Sequence, residues 1–397
     1  MIHATATSDS RSEASLALVT ICLACGGFTL GAGEFSAMSL LPYYADGLGV
    51  SESVAGYAVS AYAVGVMIGA PLIAVLAARW PRKYTLIGLM LVVAAGYALS
   101  AFAPSILTLD AARFLAGLPH GAYFGIAILF AADIAGKGKR AQATSHIMLG
   151  LAVATVVGVP AVNAFGQSLG WRLGFAIVAG LAALTALGIW LTAPYEGPDP
   201  SVRPLKQFRA LANRQVLLVL AMGAVGYGGT FAIYSYFSAA FLQTVDEPQY
   251  WISIGLVIYG LGVVFGNWVA GKLTGGRVLQ SAAAFQAVLA ISGLIYAASI
   301  GSMPFMFAAL FLIGVGGGLV VPLQTRLMDV AGEAQTMAAA MNHAAFNAAN
   351  ALGPLLAGFT LSAGLGWAST GYVGVALSLG GLAIWLVILA TSKRSAQ

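Results

Sequence analysis

The chain has 397 residues, of which 60% are hydrophobic and only 8% charged, and its mean hydropathy is +0.90. A soluble domain carries roughly a quarter charged residues, so this composition excludes a water-soluble globule and fits a membrane protein. The net charge of +5 lies in short basic clusters between apolar stretches rather than along one stripe, which speaks against nucleic-acid binding and for topology signals.

A hydrocarbon core about 30 Å thick needs about 20 apolar residues in helix. Twelve stretches meet that length: 16–42, 52–77, 84–103, 105–132, 143–166, 172–193, 215–241, 250–271, 279–300, 304–326, 337–361 and 369–390. The Ser-, Thr- and Ala-rich residues 1–15 lack a signal-peptide n-region and cleavage site joined to a short apolar run, so the first span is expected to be retained. Fifty glycines suit helices that approach closely in a bilayer.

The first span holds Cys22 and Cys25 as C-x-x-C. Thiol chemistry or metal binding needs a solvated, electropositive setting, so both read as small apolar fillers, and no metal site is expected. The same span holds Glu34, with no other charge between Glu13 and Asp46. An intramembrane charge costs about 2.5–3.5 kcal/mol on insertion scales, so it is expected to face a partner, a cavity or a proton path.

The second span ends in Arg79, Arg82 and Lys83, which are expected to set topology or to serve as a gate. In the fourth span Arg113 lies about 12 Å from the end near Ser105, and Glu34 lies about 13 Å from the corresponding end near Tyr43, at 1.5 Å per residue. His120 follows Arg113 by seven residues, two turns and about 10 Å deeper on the same face. Glu34 and Arg113 are expected to form an ion pair, direct or through water, and Glu34, Arg113 and His120 form a candidate proton-coupling line: a carboxylate, a fixed cation and a group that ordinarily titrates near 6.5. The opposing reading has Arg113 snorkelling toward Asp110 and His120 making a single structural hydrogen bond.

The fifth span carries Gly150, Gly158, Pro160 and Gly166. Small residues permit close packing and Pro160 leaves a carbonyl unbonded, so Gly158 and Pro160 read as a hinge. In the seventh span Tyr227, Thr230, Tyr234 and Ser238 follow helical spacing; in the eleventh, His343, Asn347 and Asn350 stand at i, i+4 and i+7. Glu34, Tyr227, Tyr234, His343, Asn347 and Asn350 are the candidate substrate-binding residues, although amides and hydroxyls also join helix to helix. Gln324, Asn163 and Asn267 read as packing or gate residues, and His146 as solvated.

Basic residues follow every even-numbered span: Arg79, Arg82 and Lys83; Lys137, Lys139 and Arg140; Arg203, Lys206, Arg209 and Arg214; Lys272 and Arg277; Arg326; Lys393 and Arg394. The positive-inside rule places both termini in the cytoplasm. The chain also echoes itself, with "GAPLIAVLAARWPRK" from Gly69 similar to "GNWVAGKLTGGRV" from Gly266. The expected fold is all-α: twelve transmembrane helices as two pseudo-symmetric six-helix bundles, residues 1–193 and 215–397, joined by a cytoplasmic linker over 194–214. In transporters such repeats hold the site between the halves near the midplane.

The segments "GAGEFSAMSLLP", "SAYAVGVMIGAPL", "RFLAGLPHGAYFG", "GVPAVNAFGQSLGWRLGF" and "AAFNAANALGPLLAG", in this order and spacing, resemble the major facilitator superfamily. Within it they are similar to the proton-antiporter branch of sugar and drug exporters of the AraJ-like type. The loop after the second span departs from the family pattern: Ala74, Ala78 and Pro81 replace a Gly, an Asp and a Gly. That puts a carboxylate-based cytoplasmic latch in doubt and leaves the basic residues to lipid phosphates or helix C-terminal carbonyls.

The resemblance implies proton-coupled efflux of a small drug- or sugar-like molecule by alternating access across a bacterial inner membrane. The expected partners are substrate, protons and the bilayer; a monomer, no enzyme activity and no cofactor are expected. A proton-linked importer or facilitator on the same fold, and a non-transporting membrane sensor, are the alternatives. No phosphate-binding loop supports an ATP-driven pump.

Overall fold

The structure is a computed structural model that describes residues 3–136, 140–197, 213–331 and 335–394. Eleven of its helical units are long and apolar enough to cross a membrane: α1 (Leu16–Ser39), α2 (Glu52–Leu76), α3 (Arg82–Ala101), α4 (Ile106–Ala135), α5 (Ser145–Leu169), α6 (Trp171–Thr192), α7 (Arg214–Thr244), α8 (Tyr250–Leu273), α9 (Val278–Ser299), α10 (Met303–Val330) and, last in the chain, α12 (Ala368–Thr391). The eleventh expected span is also a helix, α11 (Gln335–Ser362). Its hydropathy is lowered by Asn342, His343, Asn347 and Asn350. Residues 198–212 of the expected linker, with Arg203, Lys206 and Arg209, lie outside the described residues, as do Lys137 and Lys139.

Helices are the only open-ended way to satisfy backbone groups in hydrocarbon, and local signals set where they start and stop. The Ser51 side chain accepts from the Val54 amide at the start of α2, and Ser105 with Thr108 forms a reciprocal capping box at the start of α4. Gly49, at φ 67°, ends the short helix Leu41–Leu48 that follows α1 in a left-handed turn open to glycine.

Four of the spans are not continuous α-helix. α4 breaks between Ile106–Gly117 and His120–Ala135, at Leu118 and Pro119. α5 contains a π-helical turn over Ala154–Gly158, α7 divides into Arg214–Gly226, Gly228–Tyr234 and Phe237–Thr244, and α10 tightens to 3₁₀ over Gly317–Leu319. Discontinuous helices free backbone groups, and transporter sites are commonly built around them.

The helices pack as two groups. In the first, α3 lies against α6 and α4, α1 against α5 and α6, and α2 against α4; in the second, α9 lies against α12 and α10, α8 against α10, and α7 against α11 and α12. The groups meet where α2 packs on α11 and α5 on α8. Glycines set the approach of α1 and α5: a Cβ at Gly150 would stand 2.0 Å from the Ala24 carbonyl oxygen, and one at Gly27 2.9 Å from that of Ile147.

Candidate functional site

Glu34 sits on α1 where the two halves meet, and it is 6% exposed. Its principal partner comes from the other half: Asn350 Nδ2 on α11 donates to Glu34 Oε1 at 2.7 Å. The Pro354 inside α11 lacks an amide proton and leaves the Asn350 carbonyl without its helical bond, so the helix can bend one turn beyond this contact. The neighbouring Phe35 crosses to α7, stacking on Phe231 at 6.2 Å and meeting Tyr234 edge-on at 5.7 Å.

His120 opens the second segment of α4, and the break before it turns the ring toward Glu34. Its Nε2 lies 3.7 Å from Glu34 Oε2, an ion-pair separation too long for a hydrogen bond. Its Nδ1 stands 2.8 Å from the Tyr62 hydroxyl. A neutral imidazole that accepts from Tyr62 at Nδ1 carries its own proton on Nε2, the nitrogen facing the carboxylate.

Arg113 is 1% exposed and makes no direct ion pair with Glu34. Its guanidinium lies over Tyr62 at 4.3 Å, Tyr97 at 5.1 Å and Phe175 at 5.8 Å. None of its three nitrogens has a hydrogen bond of ordinary geometry among the described residues. It does not snorkel to Asp110 either, whose buried Oδ1 is likewise unbonded. The structure sets His120 beside Glu34, whereas the expected Glu34–Arg113 ion pair is not made directly among the described residues: Arg113 lies instead in an aromatic enclosure of Tyr62, Tyr97 and Phe175 that was not read from the sequence.

The second half faces this cluster with aromatic rings and amides. Tyr227 is edge-on to Phe231 at 5.5 Å and to Phe346 at 4.9 Å, and Tyr234 packs on Tyr259 at 4.4 Å. His343 stacks on Phe124 of α4 at 5.6 Å with the rings 2° from parallel. Asn347 Nδ2 donates to the His343 carbonyl at 3.0 Å, while its Oδ1 and the Thr230 hydroxyl are buried without a protein partner among the described residues. Of the five other residues expected to bind substrate, Asn350 is the one hydrogen-bonded to Glu34.

Five further residues were expected at gates or hinges. Arg79 is exposed, Arg82 bonds Asp133 at the end of α4 and lies 3.7 Å from Glu196, and Lys83 donates to the Ala193 carbonyl at 2.7 Å. The carboxylates that the loop after α2 lacks are thus supplied by α4 and by the segment after α6. Partial burial pushes the Glu196 carboxyl above its ordinary value, against the pull of Arg82. Gly158 closes the π turn of α5 and Pro160 opens its last helical segment; a Cβ at Gly260 of α8 would lie 2.8 Å from the Thr155 carbonyl oxygen within that turn.

At the end opposite the basic clusters, hydrogen bonds tie the halves together. Gln243 donates to Glu52 at 2.5 Å, Ser253 to Asn163 at 3.1 Å and Tyr43 to Gln249 at 3.5 Å; deeper, beside Asn350, Ser60 donates to the Ala351 carbonyl at 3.1 Å. Asn163 also donates to the Ser39 carbonyl at 3.1 Å. Gln324 accepts from Asn342 at 2.7 Å within the second half. Asn267 and His146 are exposed, and Cys22 and Cys25 are free thiols.

Residues 23–342 match the model of the Major Facilitator Superfamily. The chain is 36% identical to the inner membrane transport protein YdhP of Escherichia coli K12, covering 94% of this chain and 96% of that one. It is 34% identical to a chloramphenicol resistance protein of Streptomyces lividans, over 88% of this chain and 91% of that one. Among solved structures, it superposes with a TM-score of 0.67 and 16% identity on a bacterial homologue of the human lysosomal transporter Spinster, captured inward-facing and unoccupied, covering 95% and 96% of the two chains. The all-helical chain with its spans in two bundles is a multi-pass membrane transporter and belongs to the Major Facilitator Superfamily.

Proposed function

We propose that the protein exports a small drug- or sugar-like molecule across a bacterial inner membrane in exchange for protons, with both termini in the cytoplasm. The observation that carries this reading is the Glu34 carboxylate, buried at the junction of the halves, bonded to one half through Asn350 and set beside His120 of the other. A carboxylate so placed can hold a proton in one orientation of the halves and release it in the other. The rings of Phe35, Tyr227, Phe231 and Tyr234 suit an aromatic or amphipathic substrate, with His343, Asn347 and Thr230 offering polar contacts. Inward movement of one proton charge down 100 mV supplies about 2.3 kcal/mol. Similarity to the chloramphenicol resistance protein makes chloramphenicol the first probe.

The test is flux of labelled chloramphenicol in proteoliposomes under an imposed pH gradient, comparing wild type with Glu34→Gln. Accumulation should follow the gradient in wild type, toward the acidic compartment, and fall at least tenfold in the variant. Accumulation away from the acidic side would indicate proton-linked import, and equal pH-driven flux in both proteins would remove Glu34 from the coupling step. Thermal stabilisation across a panel of sugars and aromatic drugs identifies the substrate class if chloramphenicol does not move.

A further inference from the structure

Two buried polar groups around Glu34 lack partners, and one arrangement accounts for both. Asn350 is fully buried; its Nδ2 donates to Glu34 Oε1 at 2.7 Å, while its Oδ1 has no hydrogen bond among the described residues. Arg113, 1% exposed, has no hydrogen bond of ordinary geometry at its three nitrogens among the described residues and rests on the Tyr62, Tyr97 and Phe175 rings. A buried acceptor left unbonded costs about 1–3 kcal/mol, and an unpaired buried charge costs more.

We propose that Asn350 reads the protonation state of Glu34 and holds the end opposite the basic clusters closed when Glu34 is protonated. An ionised carboxylate can only accept, so in that form the closed junction is held here by the single bond from Nδ2 and Oδ1 stays unbonded. A protonated carboxyl has an O–H donor. With a small rotation of its plane it donates to Asn350 Oδ1 while its other oxygen keeps the bond from Nδ2, an acid–amide ring of two hydrogen bonds across the halves. Protonation therefore adds a bond to the junction and satisfies the orphan oxygen; loss of the proton removes that bond. When α11 withdraws with the second half, the ionised carboxylate is left beside Arg113, whose unbonded guanidinium is its natural partner.

The inference rests on the proton-coupled reading above and adds the residue through which protonation acts on the halves. The charged and titratable groups around Glu34 are Arg113 and His120 of α4, Tyr62 of α2, Tyr97 of α3, Tyr227 of α7 and Tyr259 of α8, with His343 of α11 reaching His120. Asn350 is the residue of the opposite half that hydrogen-bonds Glu34 among the described residues, and its amide can both donate to and accept from the carboxyl.

The experiment measures the distance between spin labels at Asp46→Cys and Glu247→Cys, both exposed and on opposite halves, in nanodiscs from pH 5 to 9, with Cys22 and Cys25 replaced by Ala. Wild type should shift toward the short distance as pH falls. Glu34→Gln, whose amide pairs with Asn350 as a protonated carboxyl does, should stay short at every pH. Asn350→Ala and Asn350→Ser should lose the pH response, and adding Asn350→Ala to Glu34→Gln should release the long distance again.

A wild-type pH response retained in both Asn350 variants, or a double variant as closed as Glu34→Gln, overturns the role of Asn350 while leaving proton coupling through Glu34 standing. A wild type without pH response that matches Glu34→Gln throughout overturns both. Because the readout is a pH profile, a variant that merely packs less well changes the distance without changing its dependence on pH.

Discussion

Arg113 carries a charge that packing alone would not select. A guanidinium over aromatic faces gains about 1–2 kcal/mol, yet replacing buried, poorly paired charges by apolar residues of similar volume is often neutral or stabilising by about 1–4 kcal/mol. Arg113→Met should therefore leave the thermal midpoint in detergent unchanged or raised, while pH-driven flux falls tenfold or more. A midpoint lowered by many degrees would instead make the Tyr62, Tyr97 and Phe175 enclosure a structural clasp. At this scale the sequence was informative about depth and silent about partners. Counting 1.5 Å per residue brought Glu34 and Arg113 to one level, but the hydrogen bond that Glu34 makes is to a residue 316 positions away. That bond exists only because α11 of one half closes on α1 of the other.

Single helices show the same division between what local pattern carries and what contact decides. The glycines of α5 were legible as close-packing positions, and the structure gives the approach a distance: a Cβ at Gly150 meets the Ala24 carbonyl oxygen at 2.0 Å. Backbone cannot retreat as a flexible side chain can, so Gly150→Leu should cost at least about 1–3 kcal/mol of overpacking, seen as a lower unfolding temperature and reduced yield of folded protein. Gly125→Ala, where nothing lies within 4 Å of the added carbon, should be neutral or gain about 0.5–1 kcal/mol from reduced backbone freedom. Equal effects at the two positions would contradict contact as the cause. The breaks were less legible. α4, expected as one span over 105–132, breaks at Leu118 and Pro119 between Arg113 and His120; the π turn of α5 rests on packing against α8, and the first break in α7 is held by Gln286 Nε2 donating to the Gly226 carbonyl at 2.8 Å. No 3.6-residue periodicity reports either one.

For the whole molecule, the half-chain echo and the alternation of basic exits carried the architecture because both survive without knowledge of any side-chain contact. The state of the junction is a different kind of information. Gln243 with Glu52, Ser253 with Asn163 and Tyr43 with Gln249 join the halves at one end, and alternating access requires these bonds to break in each cycle. Each exposed or half-buried bond contributes only about 0.5–1.5 kcal/mol net, so under the proposed proton-coupled exchange the closed end is a latch that binding and proton energies can open. A covalent bridge at the same place would not open. In the variant Glu52→Cys with Gln243→Cys, a short reducible bifunctional thiol reagent should abolish pH-driven flux, and reduction should restore it, with Cys22 and Cys25 replaced by Ala beforehand. The uncrosslinked double variant should still transport, because removing one exposed hydrogen bond lowers the opening barrier rather than raising it. Flux that persists after complete crosslinking would mean that the halves do not part at this end, and alternating access through it would have to be abandoned.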